Sequence, residues 1–160
     1  MRTTLGGNQN LEGLLHLTCT ASSAYQALLD TLTSSGENLS LAKGEPVVFT
    51  FANNYEVGRP ADNAVLDGVV ESAERQSDGT YKLTVAVLQV KPSGDNTTYK
   101  KPTAVVQMNY RSGATLTLGK PVVADSTSAY DEVEDSAANA DGLGAIISKD
   151  TTALTVDVLV

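Results

Sequence analysis

A short pattern that occurs twice, in the same order and at nearly the same spacing, is the strongest constraint on how this chain folds. The first copy opens with Gly44-Glu45-Pro46-Val47-Val48, passes through Asp67-Gly68-Val69-Val70 and closes on Leu83-Thr84-Val85-Ala86-Val87-Leu88. The second opens with Gly119-Lys120-Pro121-Val122-Val123, passes through Asp141-Gly142 and closes on Leu154-Thr155-Val156-Asp157-Val158-Leu159. The offsets between copies are 75, 74 and 71 residues. Self-similarity in fixed order marks a repeated supersecondary unit, and Val- and Thr-rich runs bounded by turn residues mark strands. The pattern predicts a mainly β chain: a small β-barrel or sandwich built from two similar β units, about 39–90 and 114–160, within a β domain over 39–160. An N-terminal arm and one short helix over 1–38 precede it.

Composition narrows the core and the partners. Of 160 residues, 41% are hydrophobic but only 5% aromatic, with no Trp, so the core must be built from Val, Leu, Ile and Ala. The net charge of −8 is uneven: residues 121–160 hold eight acidic side chains against Lys149 alone. Phosphate would repel such a chain, so no nucleic-acid partner is expected. Cys19 is the single cysteine, which excludes an intramolecular disulfide. Met1-Arg2-Thr3-Thr4-Leu5-Gly6-Gly7 has no apolar signal-peptide core. No apolar run approaches the roughly 18 residues of a membrane helix, so no membrane partner is expected either.

Residues 1–13 are polar and glycine-containing and read as an extended arm that orders on a partner. Leu14, Leu15 and Leu17 suggest an edge strand. Tyr25, Leu28, Leu29 and Leu32 fall on one helical face, with Ser22 or Ser23 as N-cap and Gly36 suited to the left-handed position after the end. Ser77-Asp78-Gly79 predicts a tight hairpin. Alternation over Val105–Tyr110 predicts a further strand, and Asp131–Asn139 reads as an acidic loop or short helix. Leu154, Val156, Val158 and Val160 read as one face of a final strand.

Residues with chemical potential have plainer explanations. His16 and Cys19 are three apart, which on a strand sends them to opposite faces, and no further His or Cys completes a zinc set. Cys19 reads as a structural core residue. Asp131, Glu132, Glu134, Asp135 and Asp141 lack the ligand alternation of a calcium loop and read as solvated. Asp67 and Asp141 each precede Gly, which favours turns over acid–base work. Nucleophile-elbow, phosphate-loop and dinucleotide motifs are absent from the sequence. No catalytic, metal or cofactor residue is nominated, and a non-enzyme is expected.

The remaining candidates are contacts. The Lys-rich stretch 91–101, with Lys91, Lys100 and Lys101, is either a solvated hairpin or a docking element for an acidic protein surface. Leu88 and Leu159 match between copies and face away from Val85/Val87 and Val156/Val158, so either the helix covers them or another subunit does. Leu5, Asn8 and Asn10 in the arm complete the set of interface candidates.

Gly-x-Pro-Val-Val, a later Gly-Val or Gly-Ala-Ile, and a closing Thr-Val-x-Val-Leu resemble the small β-rich decoration (cement) proteins of tailed-bacteriophage capsids. Gly44/Pro46/Val47 and Gly119/Pro121/Val122 fit the opening of the family pattern, Gly68-Val69 and Gly144-Ala145-Ile146 its middle, and Leu154 to Val160 its end. The resemblance covers about 39–90 and 114–160; residues 1–38 and the Lys-rich stretch have no counterpart. It implies a structural virion protein without cofactor, made in the host cytoplasm. Such a protein sits as a homotrimer on the outer capsid surface, bound to the major capsid protein. Two other classes fit a β chain of this size: a tail- or fibre-associated module, and a carbohydrate-binding sandwich. Scattered tyrosines and the lack of Trp count against the second.

Overall fold

The computed structural model describes residues 14–34, 39–61, 64–91, 99–124, 132–136 and 142–160. The arm candidates Leu5, Asn8 and Asn10, the middle of the Lys-rich stretch, Gly36, Asp131 and Asp141 lie outside them. The fold is mainly β. The chain divides into two compact units, residues 1–50 with 55–89 and residues 51–54 with 90–160.

The first unit is a closed barrel in the order β1-β3-β2-β4-β5. Its staves are β1 (Leu15–Ala21), β2 (Pro46–Phe49), β3 (Glu56–Gly58), β4 (Gly68–Arg75) and β5 (Tyr81–Val87). β1 lies parallel to β3 and antiparallel to β5, from Leu15↔Val87 to Thr20↔Lys82. Leu14–Leu17 therefore begins an interior stave, not an edge strand. Alternation buries Leu17, Cys19 and Ala21 on β1 and Tyr81, Leu83, Val85 and Val87 on β5. Helix α1 (Ser23–Ser34) follows β1 directly. The Ser22 hydroxyl accepts the Tyr25 N–H (3.4 Å), and the Ser22 carbonyl accepts the Gln26 N–H. Tyr25 and Leu29 are fully buried, each contributing roughly 2–3 kcal/mol of apolar burial. The Tyr81 hydroxyl donates to Asp30 (2.7 Å) and lies 3.0 Å from the Thr33 hydroxyl, tying the helix to the start of β5. The hairpin between β4 and β5 turns at Asp78–Gly79 as the sequence predicts: Asp78 accepts the Thr80 N–H and hydroxyl.

The second unit repeats this connectivity. Its strands are β6 (Val105–Tyr110), β7 (Val122–Ala124), β8 (Glu132–Asp135), β9 (Ala145–Asp150) and β10 (Thr155–Leu159), in the order β7-β8-β6-β10-β9. β6 lies parallel to β8 and antiparallel to β10, as β1 does to β3 and β5. The edges β7 and β9 meet through the bridge Val122↔Leu143 and the bonds Gly119 N–H to Ile146 O and Ile146 N–H to Lys120 O. The first barrel makes the same bonds, Gly44 N–H to Val70 O and Val70 N–H to Glu45 O. Tyr110, Leu116, Val122, Ile146, Val156 and Val158 form the core of this unit. Residues 51–54 count with it, and the Asn54 carboxamide bonds the Lys149 carbonyl (3.1 Å) and N–H (3.2 Å).

The pairings fix the true register of the repeat. Gly44 and Gly119 share a positive φ of 85° and 86°, an offset of 75 residues. The middle motif aligns Gly68 with Gly144, not with Gly142. A Cβ at Gly68 would lie 2.6 Å from the Ala86 carbonyl oxygen, and one at Gly144 would collide with that of Leu159. Both units then bulge three residues later, at Glu71 and at Ile147. The closing strands align with Ala86 opposite Val69 and Leu159 opposite Ala145, so Leu159 corresponds to Ala86 and not to Leu88.

Three boundaries move with this register. Residues 15–34 do not stand apart from the β domain, because β1 is a stave of the first barrel and α1 follows it; residues 1–13 lie outside the described residues. The second unit begins before 114, because β6 is one of its strands and the chain turns into it at Val90. The acidic middle contains strand β8, whose backbone is paired on both sides by β6 and β7; the two ladders outweigh the poor strand preference of Glu and Asp. Leu154 sits before β10 with φ 56°, in the turn where Asp150 accepts the N–H groups of Thr152 and Ala153.

Candidate interaction surface

Val90 and Lys100 form a two-bond antiparallel bridge (2.8 and 2.9 Å). The Lys91 ammonium stands 5.8 Å from the centre of the Tyr99 ring, a cation–π distance. Lys100 and Lys101 are exposed, and Tyr99 is 39% exposed. Beneath the bridge, Pro102 is buried and Leu159 is 1% exposed. A cavity of about 90 Å³ lies among Val90, Lys100, Pro102, Leu143, Gly144 and Leu159. Leu143 stands at its mouth, 51% exposed. Lys100 and Leu143 line this cavity, while Lys91 and Tyr99 pair with each other at the next position of the same bridge.

This arrangement sorts the sequence candidates. The bridge brings the backbone at Lys91 alongside that at Lys100 and Lys101. Leu159 does not reach the surface: the bridge and Pro102 cover it within its own unit, so neither helix nor second subunit is needed. Leu88 follows β5, is half-buried and donates its N–H to the Asp67 carbonyl (2.8 Å). The two leucines are neither equivalent nor a shared contact. Tyr99 and Leu143 are the additions that sequence reasoning missed. The signals were an aromatic residue abutting Lys100-Lys101 and a leucine between Gly142 and Gly144.

His16 and Cys19 point to opposite faces of β1. The imidazole Nε2 lies 3.2 Å from Glu71, while burial pushes the Cys19 thiol up to about 12 and keeps it a protonated core residue. Asp67 does not make a turn with its own backbone. Its Oδ2 accepts the Phe49 N–H of the neighbouring strand β2 (2.9 Å), and its own N–H donates to Val47 O. Burial pushes it up to about 6, against the lowering by that hydrogen bond. Leu143 occupies the matching position in the second unit, where its N–H and carbonyl both bond Val122. Of the acidic cluster, Asp135 accepts the Thr117 N–H (3.0 Å). Among the described residues no three side chains of metal-ligating type converge. No described helix is long and apolar enough to cross a membrane.

The chain matches no family model, no curated protein and no solved structure.

Proposed function

We propose that this chain is a structural virion protein that binds the outer surface of an assembled phage capsid and stabilises it, with the major capsid protein as partner and a homotrimer as the working form. The observation that carries the reading is the local excess of Lys91, Lys100 and Lys101 at the Val90–Lys100 bridge, with Lys91 over the Tyr99 ring and Lys100 beside the exposed Leu143, on a chain of net charge −8. A local cationic patch on an acidic protein steers one face toward an acidic partner while the rest resists self-association. The resemblance to decoration proteins supports the same reading. Its residues are those that build the barrel, such as Gly44, Gly68, Gly119 and Gly144, so it speaks to the scaffold and the lysine surface speaks to the contact.

The test is co-sedimentation of the purified chain with undecorated, expanded phage shells. Saturable binding in a symmetric stoichiometry is expected, weakened by salt and abolished by the triple change Lys91→Glu, Lys100→Glu and Lys101→Glu. Failure to sediment with any such shell overturns the reading. Labelling confined to one vertex would assign the chain to the tail instead.

A further inference from the structure

The first unit holds a second concavity, of about 190 Å³, between α1 and the segment leading into β2. Leu28, Leu29 and Leu32 form its apolar wall, and Tyr25, Glu45 and Arg59 bring polar groups to it. Tyr25 is 1% exposed, and among the described residues its Oη is the buried side-chain polar atom with no hydrogen-bond partner. Leaving a buried hydroxyl unpaired costs free energy that a ligand can return. Burial, and then the nearby Glu45 carboxylate, push this hydroxyl up to about 12, while Arg59 acts in the opposite sense. It is therefore a hydrogen-bond donor throughout the physiological range. Glu45 and Arg59 approach each other at 3.8 Å, beyond hydrogen-bonding distance, and Arg59 is 55% exposed.

These groups define what fits. The two charges at the rim cancel, which disfavours a ligand with a net charge. Tyr25 and Arg59 offer donors and Glu45 an acceptor, which matches the C=O and N–H of a peptide group. The aliphatic wall and the volume suit one large apolar side chain beside that group. We infer that this cavity docks an uncharged, extended segment of a partner protein through one large apolar side chain, with the Tyr25 hydroxyl donating to the adjacent backbone carbonyl and Glu45 accepting the adjacent N–H. The inference stands on the first unit alone and is independent of whether the lysine surface binds a shell.

The experiment titrates the full isotope-labelled chain with N-acetyl-leucine methylamide and follows backbone amides by NMR. Saturable millimolar binding is expected, with shifts concentrated at Tyr25, Leu28, Leu29, Leu32, Ala42 and Arg59. Tyr25→Phe should weaken binding about fivefold, the worth of one net hydrogen bond, while the melting temperature holds or rises. Leu32→Phe, at a half-buried position, should fill the cavity and block binding in a folded chain. N-acetyl-glycine methylamide, which lacks the side chain, should not saturate. Absence of saturable shifts, unchanged affinity in Tyr25→Phe, or equally tight binding of free N-acetyl-leucine, whose net charge the neutral rim disfavours and which lacks the methylamide N–H, would each overturn the inference.

Discussion

The two units run the same strand path with different plugs. Between its first and second staves the first barrel inserts 24 residues, 22–45, which carry α1 and the 3₁₀ turn Leu39–Ala42. The second spends only eleven, 111–121, between β6 and β7. The first barrel keeps the small Ala21 at the end of β1 and buries Tyr25 and Leu29 from the helix. The second has Tyr110 at the matching end of β6 and draws Leu116 and, partly, Leu118 into its core. The backbone bonds at Gly44 and Gly119 survive the exchange unchanged. What the barrel demands is thus a glycine turn, a glycine under a carbonyl and a bulge, while the plug between its staves is negotiable.

The sharpest way to break this equivalence is at the shared glycine. Gly144→Val should cost more than about 4 kcal/mol, since the side chain meets the Leu159 carbonyl at a positive φ of 60°. Gly68→Val should cost somewhat less, because the clash at Ala86 is present without a positive φ. Hydrogen exchange should show protection lost at Val156–Leu159 in the first variant and at Val85–Val87 in the second. Loss at both sets in either variant would mean that the units unfold as one.

The plugs come next. Leu29→Ala should destabilise the first barrel by about 3 kcal/mol, the usual cost of emptying a buried leucine site. Leu116→Ala should cost the second unit a similar amount, measured by urea denaturation with exchange as the local probe. A loss below about 1 kcal/mol at Leu116 would show that Tyr110 alone closes that unit.

Much of this was legible in the chain. The opening glycines, the helical face of Tyr25, Leu28, Leu29 and Leu32, and the Asp78–Gly79 turn are local signals, set by φ preference and by helical spacing. Register was not. Leu83–Leu88 and Leu154–Leu159 look alike because both alternate Val with small residues, yet hydrogen bonding to β4 and β9 slides the match by two residues. Asp141-Gly142 matched Asp67-Gly68 as text, whereas the carbonyl overhead selects Gly144. β1 escaped as a stave because its partners, β3 and β5, lie more than thirty residues away. β8 escaped because an acidic run becomes a strand only when two neighbours pair it. The lysine surface was half legible: the charges were plain, but Tyr99 and Leu143 join it only through the Val90–Lys100 bridge.

Acid separates the units by the smallest effects. Asp67 holds more protons in the folded chain than in the unfolded one between about pH 4 and 6, so its ionisation withdraws stability from the first barrel as pH rises through that window. Asp67→Asn keeps an oxygen for the Phe49 N–H and removes the buried charge. It should raise stability at pH 8 by roughly 1–2 kcal/mol once solvent screening is discounted, and flatten the slope between pH 4 and 6. Asp78 and Asp150 act with the opposite sign. Hydrogen bonds from Thr80 in one turn, and from Ala153 and Thr152 in the other, hold these exposed carboxyls below the usual range. Their contribution is present near neutrality and is lost as pH falls through those lowered values. The second unit has Leu143 where the first has Asp67, and among its described residues Asp150 is the carboxyl held low. Exchange protection followed from pH 8 to pH 4 should therefore rise at Val85–Val87 and stay flat at Val156–Leu159. In Asp67→Asn the two profiles should coincide, and a difference that persists in that variant would place the acid response outside Asp67.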